Sequence, residues 1–305
     1  MSHDSLTCRL TTMQDEGYGS LRPLMFSVAY RMLGSATEAE DVVQDGWLRL
    51  SRADRSDVKS LEAFATTVVT RLCLDRLKSA RARREEYVGT WLPEPVLTDA
   101  APDEMFERRE SVTLAFLILL ETLSPEERAV FLLREVFDYS HREVADMLGL
   151  TPAHSRQLLH RARERIAEGR PSMPPPSQRP LAERFAAALS AGDASQMSAL
   201  LADDVGLWSD GGGKVAAARR PLFGHDVVLN LLVGLKRTAV TTGLEQRTSL
   251  TVTAVNHEPA VVLLVDGKID GVFVLSPRDG RIAAIRVVRN PDKLEYLSRQ
   301  LDQLC

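Results

Sequence analysis

The chain has 305 residues, with 38 Lys and Arg against 42 Asp and Glu, for a formal net charge of −4. Hydrophobic residues make up 44% and charged residues 26%, values that exclude disordered, collagen-like and fibrous classes. At roughly 100–200 residues per domain, the length calls for two or three domains. Cys8, Cys73 and Cys305 lie far apart with no CxxC pair, so a reducing compartment is expected instead of a disulfide framework. The opening residues MSHDSLTCRLTTMQDE lack the apolar core of a secretory signal. The longest dense apolar run, Leu114 to Leu120, falls far short of the ~20 residues that a membrane span needs. A cytoplasmic protein with no membrane partner is the expectation.

Residues 18–90 read as a helical bundle with sharply organised charge. Thr37 to Asp45 (TEAEDVVQD) holds four acids and no base, whereas Arg71 to Arg84 (RLCLDRLKSARARR) holds six bases and one acid. Either run alone would be a solvated face. Together they suit a protein that meets a basic protein surface on one side and DNA on the other. Residues 91–105, WLPEPVLTDAAPDEM, contain three prolines and read as a linker.

Residues 106–169 are helical again, and their caps are explicit. Ser124-Pro125-Glu126-Glu127 opens a helix with Ser as N-cap, Pro in the first turn and Glu closing a capping box. Ser140-His141-Arg142-Glu143 repeats the device. The helix it opens turns Val144, Ala145, Met147 and Leu148 inward and stops at Gly149. Thr151-Pro152 then starts a further helix. A short helix, a glycine turn and a newly capped helix have the spacing of a helix-turn-helix, whose second helix enters the major groove. Leu158, Leu159, Ala162 and Ile166 would face inward, leaving His154, Ser155, Arg156, Gln157, His160, Arg161 and Arg163 largely free. Arg156 to Arg165 carries four Arg against one Glu. Arginine on phosphate supplies salt-dependent affinity, and Arg, Gln or Ser on base edges supplies sequence choice.

Residues 170–180, RPSMPPPSQRP, hold five prolines and form a semi-rigid spacer. Residues 181–305 read as an α+β domain. One helical segment (Leu181 to Leu201) leads to β-branched runs, LTVTAVN, AVVLLVDG, IDGVFVLS and IAAIRVVRN, with hairpin turns at Asp266-Gly267 and Asp279-Gly280. Asp203, Asp204, Asp210, His225, Asp266 and Asp270 are candidate acid/base groups. Asp203-Asp204 reads as a turn after a helix, and no pair has environments that would split two pKa values, so no catalytic residue, cofactor or metal ligand is assigned. Asp210-Gly211-Gly212-Gly213-Lys214 lacks phosphate-loop spacing; three successive glycines call for a close backbone approach or an unusual φ. Asn290-Pro291-Asp292-Lys293-Leu294 caps a terminal helix.

These residues resemble a known family. SLRPLMFSVAYRMLGSATEAEDVVQDGWLRL and SLEAFATTVVTRLCLDRLKSARAR are similar to region 2 of the bacterial extracytoplasmic-function sigma factors. LSPEERAVFLLREVFDYSHREVADMLGLTPAHSRQLLHRARERI is similar to their region 4. Trp91-Leu92-Pro93-Glu94-Pro95, Asp210 to Lys214 and Asn290 to Leu294 resemble a subgroup bearing a SnoaL-like extension of the NTF2-like fold. The resemblance implies two all-α domains followed by an α+β cone with a curved antiparallel sheet. It implies a promoter-specificity subunit of RNA polymerase. Ala39, Asp41, Val42, Gln44, Asp45 and Leu48 would dock on the clamp helices of the β′ subunit, with region 4 meeting the β flap. The loop Ser51 to Ser60 and the helix Leu61 to Ser79 would engage the −10 element, with Arg71, Arg76, Lys78 and Arg81 as the basic contacts. At Arg71 many members carry Asn, so a −10 sequence does not transfer from them. The helix after Thr151 would read the −35 element. The C-terminal domain would regulate by contact, through Asp210 to Lys214 and Asn290 to Leu294. The alternatives are a ligand sensor for an unidentified small molecule, or a cyclase- or isomerase-type enzyme fused to the DNA reader. An ordinary helix-turn-helix repressor would need neither the acidic nor the basic helix.

Overall fold

The computed structural model describes residues 3–54, 58–85, 87–98, 112–167 and 178–303, with side chains placed for all but residues 3–17 and 80–85 of these. The chain divides into two compact units. The described residues of the first fall in Met1–Ala82 and Leu119–Gly169; those of the second fall in Arg83–Ala101, Ser111–Ile118 and Arg170–Cys305.

The first unit is helical. Helices α1 (His3–Leu33), α2 (Ala36–Arg52) and α3 (Leu61–Glu85) come from the first part of the chain. Ser35 starts α2 by accepting from the Glu38 amide, satisfying one of the donors that a helix start leaves open. Met25, Phe26, Ala29, Tyr30 and Leu33 of α1 are buried with Val42, Val43 and Leu50 of α2 and Val69 and Cys73 of α3. At Gly46 an added Cβ would meet the end of the Met25 side chain, Cε, at 2.9 Å, so a larger residue there would require Met25 to shift.

The same unit holds α5 (Pro125–Phe131), a π-helical turn (Leu132–Val136), α6 (His141–Leu148) and α7 (Pro152–Ala167). Both expected capping boxes are present, at Ser124/Glu127 and Ser140/Glu143, and Gly149 ends α6 in the left-handed region. Arg128 joins these helices to α1. Buried, it donates to the Met32 carbonyl at 2.6 Å and to Glu121 at 2.8 Å. Burial lowers its pKa to about 10, which leaves the guanidinium charged at neutral pH.

The second unit is α+β. Its mixed six-stranded sheet has the order β2-β1-β6-β5-β4-β3. The strands are β1 (Leu201–Asp210), β2 (Leu222–Phe223), β3 (Thr248–Val255), β4 (Glu258–Val265), β5 (Lys268–Arg278) and β6 (Arg281–Val288). The last four follow the expected runs, and both Asp-Gly turns have positive φ at both residues, the geometry of a tight hairpin. All pairs are antiparallel except β1 with β6, so the sheet is mixed where an antiparallel one was expected. The reason is β1 itself. LADDVGLWSD lacks clean alternation, and Asp203 and Asp204 lie within this strand, not in a turn.

The expected single helix from Leu181 to Leu201 is two. Helix α8 (Arg179–Ala191) ends at Gly192, and Asp193 caps α9 (Ala194–Leu200) by accepting from the Ser195 and Gln196 amides. These helices and α10 (His225–Thr241) share a core with the sheet built from Leu181, Phe185, Met197, Leu200, Val228, Leu232, Val261, Phe273, Ile282 and Ile285. The terminal helix α11 (Pro291–Asp302) and the short α4 (Leu114–Leu120) complete the elements.

Phe185 is fully buried, with its ring centroid 6.0 Å from that of Phe273. Phe185→Ala should therefore cost the second unit about 3–5 kcal/mol. Chemical denaturation followed by circular dichroism checks this; a loss below about 1 kcal/mol would mean that the ring does not anchor this core.

Candidate functional site

Helix α7 sorts its residues as a groove reader must. Leu158, Leu159, Ala162 and Ile166 are buried, while Thr151, His154, Arg156, Gln157, His160, Arg161 and Arg163 are exposed. Thr151 also starts the helix, its Oγ1 accepting from the His154 amide at 3.1 Å. One expected outward residue is misplaced. Ser155 is buried, and its Oγ lies 2.9 Å from His141 Nδ1, so it pins α7 to α6 and cannot reach a base. Arg163 pairs with Glu135 at 2.7 Å and His160 lies 3.4 Å from Glu164. The His141 pKa is lowered by burial and by Arg134, Arg156 and Arg163, which records the positive field around this helix.

On α2, Asp41, Gln44, Asp45 and Leu48 are all exposed at i, i+3, i+4 and i+7, which places them on one face. Leu48 is 46% exposed, an apolar side chain one turn from Asp45. The basic helix is not separate from this face. Arg76 pairs with Asp45 at 3.0 Å and Asp41 at 3.5 Å and donates to the Glu38 carbonyl. Arg71 donates from Nε to the Met147 carbonyl at 2.8 Å, so contact between that group and DNA requires breaking this bond. Lys78 is exposed. The Arg81 side chain, the loop residues Arg55, Ser56 and Asp57, residues 99–105 of the expected linker, 106–111 of the second helical segment and 170–177 of the Pro-rich spacer lie outside the described residues.

The second unit converges on Asp210. Its side chain has no exposure and its carboxylate accepts from four directions. Tyr87 Oη donates at 2.6 Å, the Leu92 amide at 2.8 Å, the Gly212 amide at 3.0 Å and Lys293 Nζ at 2.7 Å. Lys293 also donates to the Leu92 carbonyl and sits 4.3 Å from the Trp91 ring centroid and 4.8 Å from that of Tyr87. Asn290 caps α11 through Oδ1 and donates from Nδ2 to Tyr87 Oη at 2.9 Å. Lys214 bonds Asp292 at 2.6 Å, and Leu294 is buried; Pro291 is the first residue of α11. The Tyr87 pKa is raised by burial and by its bond to Asp210, so the phenol keeps its proton.

The glycine run has the use expected of it. An added Cβ at Gly212 would fall 2.3 Å from Asn290 Nδ2, and one at Gly213 would meet Val88 at 3.2 Å; both residues have positive φ. Gly211 is equally constrained, 2.5 Å from the Val215 carbonyl oxygen. Residues 92–97 are buried in this unit, so the segment expected to be a bare linker is a packed part of it. Tyr87, the hydroxyl that joins the Asp210 and Asn290 motifs, carried no local signal, because its two partners lie 123 and 203 residues away in sequence.

The acid/base candidates have other partners. Asp204 pairs with Arg278, Asp203 with Arg281, Asp266 with Arg247 and Asp270 with Arg289. His225 bridges α9 and α10, its Nε2 3.0 Å from Ser198 Oγ and its Nδ1 3.0 Å from Asp226, and its pKa is raised chiefly by the Asp226 bond. Among the described residues no cluster of His, Cys, Asp and Glu could hold a metal ion, and no helix is long and apolar enough to cross a membrane.

A capped helix-turn-helix with an arginine-rich outer face, preceded by a helical bundle with an exposed acid-bearing face, is the arrangement of a DNA-reading transcription protein. The comparisons are specific. The Sigma-70 region 2 model matches residues 18–83, and the Sigma-70, region 4 model matches 113–166. The ECF RNA polymerase sigma factor SigJ of Mycobacterium tuberculosis is 37% identical over 92% of this chain and 93% of its own length. The probable ECF RNA polymerase sigma factor SigI of the same species is 32% identical over 92% of this chain and 94% of its own. The crystal structure of the M. tuberculosis extracytoplasmic function sigma factor SigJ matches with a TM-score of 0.73 and 34% identity, covering 92% of this chain and 97% of that one. The chain belongs to the ECF RNA polymerase sigma factors, and it directs transcription initiation with an α+β extension.

Lys293→Met removes one donor from a carboxylate that water does not reach. The loss should be about 3–5 kcal/mol from the second unit, because the remaining charge is uncompensated. Hydrogen exchange at the Leu92 amide should accelerate in parallel; an unchanged Leu92 amide and unchanged denaturation would show that Lys293 does not hold this cluster.

Proposed function

We propose that α7 reads the −35 promoter element through Arg156, Gln157 and Arg161, with His154, His160 and Arg163 flanking and Thr151 setting the helix start. These side chains are exposed on the face opposite the buried row, the disposition that direct readout needs. Ser155 is dropped from the set. Arg71, Arg76, Lys78 and Arg81 serve the −10 side, where Arg76 has the further task of bracing Asp41 and Asp45.

The face of Asp41, Gln44, Asp45 and Leu48 docks on the polymerase core, on the clamp helices of β′, and region 4 meets the β flap. An exposed leucine on a face that also carries Asp41 and Asp45 supports a partner that is basic beside an apolar centre.

The C-terminal domain regulates the sigma factor by contact. The observation that carries this reading is the buried cluster of Asp210, Lys293, Tyr87, Trp91 and Leu92. It ties the extension to the chain that runs between regions 2 and 4. The ligand-sensor and enzyme alternatives have less support, since Asp203, Asp204, Asp266 and Asp270 are engaged in ion pairs with arginines and Asp210 is held in the buried cluster.

Run-off transcription with purified core polymerase tests the assignment. Arg156→Ala or Arg161→Ala should weaken promoter binding by about 1–3 kcal/mol, with relaxed choice at one position if the residue reads a base and uniform weakening if it binds phosphate. Leu48→Asp should reduce capture of the core while circular dichroism is unchanged. Asp210→Asn should change output without changing the affinity of α7 for −35 DNA. Promoter affinity equal to wild type in both arginine variants would remove α7 as the reader, and full core binding by Leu48→Asp would remove the α2 face.

A further inference from the structure

A second contact, away from the Asp210 cluster, holds the same connector at both of its described ends. The β3–β4 turn is built on Asn256 and His257, both with positive φ. Asn256 is buried, and its backbone amide and both polar atoms of its side chain are bonded. Its backbone amide donates to the Val96 carbonyl at 2.9 Å, its Oδ1 accepts from the Val96 amide at 3.1 Å, and its Nδ2 donates to the Val112 carbonyl at 3.0 Å. One side chain thus bridges the two positions that flank residues 99–111. The residues beside it extend the grip. Leu97 pairs with Val255 as an antiparallel bridge, the Thr98 amide donates to the Ala254 carbonyl at 3.0 Å, and the His257 amide donates to Thr98 Oγ1 at 3.0 Å.

On the other side of the turn, Glu258 reaches the start of α4. It is 1% exposed, and it accepts from the Leu114 amide at 2.8 Å and from the Ala115 amide. Ser276 donates to its other oxygen, and Arg286 stands 3.8 Å away. Thr113 supplies the rest of the cap locally, its Oγ1 accepting from Phe116 and its carbonyl from Leu117. The first four amides of α4 are therefore satisfied half by its own N-cap and half by a carboxylate from β4, far away in sequence. A helix of seven residues is too short to persist on its own, so this cap matters to its existence.

We infer that the β3–β4 turn is a clasp, with Asn256 and Glu258 as positioning residues, that fixes the path between the −10-reading and −35-reading halves and so restricts the promoter spacings on which the protein initiates. Residues 96–98 lead back to region 2, and α4 opens the segment matched by region 4. With both ends fixed to one sheet, the reach of the connector is set by that sheet; released, it would be set by a flexible chain. Each base pair added between two promoter elements moves one of them by about 3.4 Å and turns it by about 35°, so a fixed connector penalises altered spacing and a loose one tolerates it. The inference rests on the sigma-factor assignment and adds to it a determinant outside the DNA-reading helices.

The test uses the full chain. Asn256→Gly keeps a residue suited to positive φ and removes both side-chain bonds, so the hairpin survives. Hydrogen exchange should quicken by about tenfold in peptides covering 93–98 and 112–117, with no change in 87–92, which the Asp210 cluster holds. On a promoter that the wild-type protein uses, variants one base pair longer and shorter between the elements should gain output several-fold relative to the parent spacing. Glu258→Gln, which leaves the turn untouched, should loosen 112–117 alone and broaden spacing in the same direction. Unchanged exchange at both ends would refute the clasp. Loosened ends with an unchanged spacing profile would refute the positioning role and leave a purely structural contact. The exchange arm involves neither polymerase nor DNA, so its failure is distinct from a failure of the sigma-factor reading.

Discussion

A carboxylate cut off from water has to find donors for both oxygens. Asp210 finds four, from Tyr87, Leu92, Gly212 and Lys293. Three separate stretches of sequence must meet for this to happen: the residues after α3, the glycine loop after β1, and the start of α11. None can leave without stranding a buried charge, a loss that is steep when one partner goes alone. The other requirements follow. Gly212 and Gly213 are glycines because Asn290 and Val88 occupy the space beside them, and Asn290 both starts α11 and aligns the Tyr87 hydroxyl. Lys293 is held against two aromatic rings as well as the carboxylate, so its position is over-determined.

This constraint gives the α+β extension a physical route to transcription. On the proposed assignment the −10 and −35 contacts fall on separate helical segments, and the chain between them limits the arrangements they can take. Here that chain is part of the extension's own packing, buried from Leu92 to Leu97. A domain need not touch DNA to influence promoter choice if it holds the connector.

Much of this was legible where local chemistry has one solution. Ser-Pro-Glu-Glu and Ser-His-Arg-Glu have a single stable use, as capping boxes, and both occur. Asp-Gly between β-branched runs gave two hairpin turns for the same reason. Three consecutive glycines announced a tight approach, although the partner they approach was not in their sequence. Where a residue has two plausible uses, local reading failed. Asp203-Asp204 looks like a turn but lies in β1, in the stretch between Leu201 and Gly206 where the register with β6 shifts, and the two acids pair with Arg281 and Arg278. Ser155 looks like a base-reading hydroxyl but is spent on His141. Arg76, in a basic run of the sequence, also pairs with the acids of α2, a second use that the run itself does not show. The Asn256-His257 turn was marked only by the asparagine that closes the LTVTAVN run, and Glu258 shows its role only once α4 is brought beside it.

Asp210 and Lys293 act as one buried unit that closes the extension on the connector. A double-mutant cycle reads this directly, with Asp210→Asn, Lys293→Met and the two combined in the full chain, each followed by chemical denaturation of the second unit. The account predicts strong coupling: each single variant loses about 3–5 kcal/mol, and the double variant loses clearly less than their sum, because no charge is then left buried alone. Losses that add would show that the two groups act independently, and the account built on their pairing would fail.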